Sequence, residues 1–507
     1  MKISLISVDG CVSLGIRSIS ARLKNAGHKV TSIFFPYTNS RIYPDAILKD
    51  MNELIAGSEL IGISSMAYSS EKAIQVIKCL KPLRVPIIWG GVFPTTCPEF
   101  CIEFADMVCV GEGDDAIVDL ADKIEHGKNF TNTMNFFVKE RNRIIKNPVR
   151  PLIQDLDSLP FPDYDLSSQY TVEKSRFVLM TEAHLAGIDR RFGGFTIFNI
   201  RGCPYSCSYC INDAVKSLYE NQRIVRKNSI DYAIREMKEM RKLFPLIERF
   251  RIDDDTFFIR PLEEIELFAR LYKKEIDLPF ECNSDPLTVN DEKLRILAET
   301  GLRHIGMGIQ TGSKRINEEV FARPFTKEAA LKAANIINRY HTQVEVTYDF
   351  IVLNPFERED DIMQTFDLIR ELPKPFYLSM NCMAFFPGSR IYNEALKKGI
   401  IHTKNSFCQK GLWTRFGEVR NIKLSTQNKY LNLLILLIDG EVNNTRYGEI
   451  PGRLFYLLMN KKVVRLFNRY LSLVTYIFIL YFKAAIYAAA RLLSRKAREV
   501  MRNIIFK

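Results

Sequence analysis

A chain of 507 residues that is 47% hydrophobic and 26% charged is long enough for two to four folded domains and too apolar to be a disordered segment. The net charge of +12 is concentrated, because residues 401–507 hold 19 Lys and Arg against 5 Asp and Glu while residues 1–400 hold 52 against 54. Nucleic acid could use the charge of that segment, but it is too apolar and shows no aromatic-basic groove pattern. Eleven cysteines, an odd number, in a chain that opens without a secretory signal pattern argue against a disulfide framework and predict a reducing cytoplasm, where thiols stay free for metals.

The first 130 residues alternate short apolar runs with amphipathic ones. Residues 1–7 read as a strand, 15–26 as a helix stopped by Gly27, and the run from Lys29 as a second strand. The pattern repeats with strands near 60–65, 86–91 and 107–111 and helices over 71–80 and 116–125, which predicts a parallel sheet flanked by helices. In such a sheet ligands sit beyond the carboxyl ends of the strands. Those ends carry Ser64-Ser65, then Gly90-Gly91 followed by Thr95, then Gly111-Glu112-Gly113-Asp114, and residues this small let a large flat ligand approach the backbone. Gly111-x-Gly113-x-x-Ala116 also fits a dinucleotide fingerprint, although it follows a late strand and lacks the acidic residue at the end of the next one; nucleotide binding stays open as an alternative.

Residues 131–190 hold a hairpin pattern (135–138 with 144–147) and then a stretch in which Pro160 and Pro162 alternate with aspartates. Such a stretch sustains neither a helix nor a central strand and reads as a linker. After the β-rich run 195–200 come Cys203, Cys207 and Cys210 on a short loop, three soft donors that suit iron–sulfur or zinc. None of the six histidines lies within fifteen residues of them, so a closed zinc site lacks its expected fourth ligand. A structural thiol site remains the alternative. From residue 195 strands (195–200, 249–253, 279–283, 304–309, 344–353, 377–386) alternate with helices (230–243, 261–274, 291–300, 327–339, 360–372), and active groups are expected at the strands' carboxyl ends. Four of those ends are polar: Asp253-Asp254-Asp255, Cys282-Asn283-Ser284-Asp285, Gly308 through Gln310 to Ser313, and Tyr348-Asp349. A solvated turn remains the alternative for Asp253 and Asp255, and Cys282 reads as a small buried apolar residue. Cys97, Cys101 and Cys109 raise the thought of a second cluster, but Cys97-x3-Cys101 lacks a third close partner.

The cysteine spacing, with Tyr209 just before the last thiol, resembles the radical S-adenosylmethionine (SAM) superfamily. The order Ser-Ser, Gly-Gly, Gly-Glu-Gly resembles the cobalamin-binding domain that precedes many of its members, and the motifs 354–360 and 386–392 resemble closing motifs of that class. The resemblance covers residues 1–400. It implies an α/β fold with a Rossmann-like cobalamin-binding-type domain (1–130), a hairpin and linker (131–190), a partial (β/α)6 radical SAM barrel (191–400) and a basic helical C-terminal region (401–507). It implies a [4Fe–4S] cluster on Cys203, Cys207 and Cys210, SAM contacts from Tyr209, Asp254, Asn283 and Gln310, and cobalamin contacts from Ser64, Ser65, Gly90, Gly91, Thr95, Gly111, Glu112 and Gly113. There is no Asp-x-His-x-x-Gly motif, and Phe93 stands where a histidine often follows the Gly-Gly turn, so cobalamin would be held without a protein imidazole. The implied activity is a cobalamin-dependent radical methylation of an unactivated carbon on a small-molecule or lipid-like substrate, driven by an external one-electron reductant such as a flavodoxin or ferredoxin. A non-methylating ring-forming or coupling reaction, a non-catalytic iron–sulfur sensor and a vestigial cobalamin domain are the alternatives.

The tail sets apolar runs at 431–438, 454–459 and 471–482 among lysines and arginines. Its longest charge-free stretch, residues 470–482, is shorter than the roughly 18 to 20 residues a bilayer span needs. Apolar helices edged with cations suit the inner surface of an anionic membrane, so a peripheral membrane contact is the expectation, with a true span or a helical cap as alternatives.

Overall fold

The computed structural model describes residues 1–8, 10–36, 42–185 and 194–401. The described chain divides into two compact units, Met1–Asp254 with Phe385–Glu394, and Asp255–Ala384 with Ala395–Ile401.

The first unit is built on a nine-stranded sheet. Its strands are β1 (Lys2–Ser7), β2 (Lys29–Phe34), β3 (Leu60–Ser64), β4 (Ile87–Gly90), β5 (Met107–Cys109), β6 (Phe136–Glu140), β7 (Arg143–Lys146), β8 (Gln169–Glu173) and β9 (Arg176–Leu179). They lie in the order β7-β6-β5-β4-β3-β1-β2-β8-β9. β1 to β5 and β8 run parallel, and the edges are antiparallel hairpins, β6–β7 on β5 and β9 on β8. Near-continuous apolar strands bury both faces, as a parallel sheet covered by helices requires. Ile6, Ile33, Ile63, Trp89 and Val108 are at most 2% exposed. The strand order reverses about β1, between β2 and β3, so the crevice beyond the carboxyl ends of β1 and β3 is the ligand position this fold offers.

The same unit holds β10 (Phe195–Ile197), parallel to β13 (Phe250–Ile252), and the two-residue antiparallel pair β11 (Ile200–Arg201) and β12 (Arg226–Lys227). The single strand read over 195–200 is therefore two. The Asp254 carboxylate draws both the Asn199 and Ile200 backbone N–H groups to itself at 2.7 and 2.8 Å, which ends β10 and turns the chain into β11.

In the second unit β14 (Phe280–Ser284), β15 (Leu302–Gln310), β16 (Glu345–Val352) and β17 (Tyr377–Cys382) pair in parallel in that order. The helices Leu262–Glu275, Asp291–Thr300, Lys327–Asn338 and Glu359–Glu371 alternate with them. Side-chain caps start two of these helices, Asn290 accepting from the Lys293 N–H at 2.8 Å and Thr326 from the Ala329 N–H at 3.1 Å, each satisfying a donor the helix itself leaves open. In chain order, β10, β13 and these four strands alternate with helices, as the sequence predicts. Among the described residues no helix is long and apolar enough to cross a membrane; the basic helical tail expected over 401–507 lies, from residue 402, outside them.

Candidate functional site

The cysteine loop leaves β11 through Gly202. This residue has φ +88°, and a Cβ there would come within 2.4 Å of the Ile224 carbonyl oxygen, so only glycine turns the chain here. The Cys210 N–H then closes onto the Cys207 carbonyl at 3.0 Å, and Cys210 precedes the short helix Ile211–Lys216. The loop is held from outside as well. Lys216 donates to the Pro204 carbonyl and the Ser206 hydroxyl, and the Ile391 N–H donates to the Ser208 carbonyl at 3.0 Å. Arg390 grips Asp213 at 2.6 Å and also donates to the Ser206 carbonyl. Cys207 is buried, Cys203 and Cys210 are half-buried, and all three thiols are outside any disulfide. Three cysteines outside any disulfide on one fixed loop are the donor set an iron–sulfur cluster takes.

The candidate cobalamin residues of β3, β4 and β5 are brought together. Gly91 has φ +102°, and a Cβ on it would stand 2.9 Å from the Ser64 hydroxyl and from the Ser65 carbonyl, so the β3 and β4 ends pack backbone to backbone. Thr95 donates to the Gly91 carbonyl at 2.8 Å and accepts from the Gly111 N–H at 3.1 Å, linking the second loop to the third. Trp89 donates to the Ser65 hydroxyl at 2.9 Å. Small residues and hydroxyls at a parallel sheet's carboxyl edge fit the broad face of a corrin. Phe93 is buried between Trp89 and Phe100, with ring centroids at 5.8 and 6.0 Å, so the position where a histidine often stands is part of the core.

Glu112 is used otherwise. Both its oxygens accept from Arg226, at 2.6 and 3.0 Å, and Asp114 is paired in the same way with Arg201. Burial raises the Asp114 pKa, but Arg201 and the Ser18 hydroxyl outweigh it and hold the carboxyl below its ordinary range. Gly113 stands where a Cβ would meet Ile19 at 3.3 Å.

Of the expected SAM contacts, Asp254 is fully buried and its carboxylate takes the two backbone N–H groups that shape β11. Those two bonds support the start of the cysteine loop. Beside it Asn199 donates to Glu236 at 3.1 Å; burial first, and the Asp254 charge after it, push the Glu236 carboxyl up to about 8 against the opposing pull of the Asn199 bond. Tyr209 is half-buried within the cysteine loop. In the second unit His304, Gly306, Gly308 and Gln310 form the half-exposed face of β15. A Cβ on Gly306 would lie 2.9 Å from the Asn283 carboxamide oxygen, and one on Gly308 2.8 Å from the Gln310 side-chain nitrogen. The two glycines thus let both carboxamides lie flat against the strand. Gln310 adopts φ +73° at a register shift, and the carbonyls of Gly308 and Ile309 before it accept from buried Arg323 at 2.9 and 2.6 Å.

Cys97, Cys101, Cys109 and Cys282 behave as packing residues. Burial, with a smaller push from Asp114, raises the Cys109 thiol to about 12, and burial raises Cys97 to about 11, so neither offers a ready thiolate. Cys101 and Cys282 are buried. Arg201, Tyr219, Arg226 and Arg323 were not singled out from the sequence. Arg201 stands two residues before the first cysteine, which is a usable signal, whereas an isolated Arg226 or Tyr219 offers none.

Family models match at both ends of this arrangement, the B12 binding domain over residues 2–121 and the radical SAM superfamily over residues 199–369. An uncharacterised methyltransferase of Pyrococcus horikoshii is 24% identical over 68% of this chain and 71% of its own length. The cytidylyl-2-hydroxyethylphosphonate methyltransferase of Streptomyces wedmorensis is 22% identical over 78% and 79%. Among solved structures, the radical SAM methyltransferase TsrM of Kitasatospora setae shares the fold with a TM-score of 0.62 at 14% identity, covering 78% of this chain and 76% of that one. The cobalamin-dependent radical enzyme OxsB shares it with a TM-score of 0.64 at 16% identity, covering 86% and 66%. A radical SAM domain works with a [4Fe–4S] cluster, SAM and an external reductant, and a B12-binding domain takes cobalamin. With three cysteines outside any disulfide on a glycine-turned loop and a small-residue sheet edge in one unit, and with both family models matched, the chain belongs to the radical SAM enzymes that carry a cobalamin-binding domain.

Proposed function

We propose that the protein is a methyltransferase that adds a methyl group to an unactivated carbon. The observation that carries the reading is the coupling of the two half-sites: Arg201, two residues ahead of Cys203, is ion-paired at 2.9 Å to Asp114 on the last of the small-residue loops. Once bound, the cluster with SAM supplies a radical that removes a substrate hydrogen, and methylcobalamin supplies the methyl group. The chain's own part is to hold and orient. Cys203, Cys207 and Cys210 would hold the iron–sulfur cluster. Tyr209, Asn283 and Gln310 contact SAM, the two carboxamides from a strand face opened by Gly306 and Gly308. Ser64, Ser65, Gly90, Gly91, Thr95 and Gly111 would border the corrin, and Glu112 and Gly113 would adjoin it from the loop fixed by Arg226. The resemblance to methyltransferases over more than two thirds of the chain supports methylation.

Anaerobic purification with iron, sulfide and cobalamin, followed by an absorbance spectrum, tests both cofactors at once. Cys207→Ala should remove the cluster bands and 5′-deoxyadenosine formation while leaving bound cobalamin. A colourless, zinc-filled wild type would end the proposal. Product mass then separates methylation, which adds one methylene unit, from ring formation, the activity named for a Rubrivivax gelatinosus cyclase that is 21% identical over 65% of this chain. The cationic, apolar tail sequence supports a cytoplasmic enzyme resting on the membrane and a lipid-like substrate. Equal solubility of the full-length chain and one truncated near residue 425 would remove the basis for that.

A further inference from the structure

We propose that the loop Gly111-Glu112-Gly113-Asp114 is a latch that fixes the cysteine loop to the cobalamin-binding domain, with Arg201 and Arg226 as its positioning residues. Arg201 and Arg226 are direct cross-strand partners in the β11–β12 pair. Two like charges opposite each other in a ladder destabilise it unless each finds its own counter-charge. Here each guanidinium takes a whole carboxylate. Arg201 donates to both Asp114 oxygens at 2.9 and 3.1 Å, and Arg226 to both Glu112 oxygens at 2.6 and 3.0 Å. A third ion pair, Arg201 to Glu112 at 3.6 Å, crosses between the forks.

The lattice is shielded and braced. The Asp114 and Arg226 side chains are 7% and 4% exposed. Ser18 donates to Asp114 at 2.7 Å, and Arg226 also donates to the Ile153 carbonyl at 2.9 Å. On the loop's other side the Glu112 N–H donates to the Tyr219 hydroxyl at 2.9 Å, and Asn135 donates to the Val110 carbonyl at 2.8 Å. Paired forks of this kind fix direction as well as distance, which a lysine cannot do. Position in the chain gives the lattice its consequence. Arg201 and Gly202 lead straight into Cys203, so a change in the fork's geometry moves the first thiol relative to the β5 loop. Opposite-charge pairing thus gives the third loop, beside its place at the ligand crevice, the task of fixing the cysteine loop.

The inference rests on the cysteines being cluster ligands, but its test does not need the cluster. Hydrogen exchange of the full-length, cofactor-free protein is compared for wild type, Arg201→Gln, Asp114→Asn and the double variant. Each single change should speed exchange in peptides covering residues 199–210 by about tenfold or more through local opening, with β1 to β4 unchanged. The double variant should match the faster single one, because both remove the same fork. In reconstituted protein Arg201→Lys should alter the electron-spin signal of the reduced cluster while its iron content holds. Unchanged exchange at 199–210, additive effects in the double variant, or equal acceleration throughout β1 to β4 would each overturn the latch. A wild type that takes up no iron would refute the cluster reading and leave the exchange result standing.

Discussion

Glu236→Gln should make the protein more stable at neutral pH, by an amount that grows with pH. Glu236 lies on the buried side of the helix Ile230–Leu243, where its carboxyl receives the Asn199 amide at 3.1 Å and faces the Asp254 charge. Burial first and Asp254 second raise its pKa from 4.5 to about 8. Between those two values the folded protein keeps a proton that the unfolded chain has released, so the folded state binds more protons and stability falls as pH rises. The slope is about 1.4 kcal/mol per pH unit. This contribution is fully present below about pH 4.5 and is lost as pH rises to about 8, amounting to roughly 3 kcal/mol of loss by pH 7. Glutamine keeps the acceptor for Asn199 and has no proton to lose. The difference between Glu236→Gln and wild type should therefore be below about 1 kcal/mol at pH 5, widen steadily to pH 8 and then level off. Urea unfolding of cofactor-free protein, followed by circular dichroism at half-unit steps from pH 5 to 9, reads it directly. Parallel curves for the two proteins would refute the reasoning, because they would mean that Glu236 is ionised in the fold.

Gly111→Ala combines a backbone penalty at φ +84° with a Cβ only 2.0 Å from the Tyr219 hydroxyl oxygen. In a Tyr219→Phe background the hydroxyl collision goes, leaving the tight ring-carbon contact at 3.1 Å and the backbone share of about 1 to 2 kcal/mol, so thermal unfolding should show a smaller alanine penalty there; an equal penalty in both backgrounds would discount the contact. Arg323→Lys should cost about 2 kcal/mol in urea unfolding, since one ammonium cannot reproduce both carbonyl bonds to Gly308 and Ile309 or the 4.1 Å stacking on Phe325. A lysine variant as stable as wild type would show that the strand end does not depend on the fork. With Cys109 raised to about 12 and Cys97 to about 11, alkylation of the cofactor-free protein at pH 8 should label Cys203 and Cys210 well before either, and rapid labelling of Cys109 would contradict its burial.

Much of this arrangement could be read locally, and the reasons are local. The helix Ile230–Leu243 begins at the cap Ser229, which accepts from the Tyr232 N–H at 3.1 Å, and Asp291–Thr300 begins at the cap Asn290; both were expected with those bounds, because cap and periodicity lie within one stretch of chain. The cysteine loop declared itself through spacing, and Asn283 and Gln310 through being polar where a strand ends. What escaped depends on partners distant in sequence. β8 was not foreseen because its place in the sheet comes from pairing with β2, Ser32 against Gln169, not from its own pattern. Asp254 is legible as the polar end of a strand, whereas its burial and its two backbone donors from Asn199 and Ile200 depend on the fold.

The Gly111 to Asp114 loop shows why a motif identifies a place more readily than a task. Its glycines are explained by close approach, but the approaching group at Gly111 is the Tyr219 hydroxyl, 108 positions along the chain. Its two acidic residues would cost several kcal/mol to bury alone, and so each demands a cation in a fixed direction. The chain provides both on one face of the short β11–β12 ribbon, at the entrance to the cysteine loop. A cobalamin-binding domain with no use for a radical partner would have no need of acidic residues that point toward such a ribbon. The pairing therefore ties the position of Cys203 to the end of β5, and through Thr95 and Gly91 to the ends of β4 and β3, so that a displacement at any of these loops is felt at the first thiol.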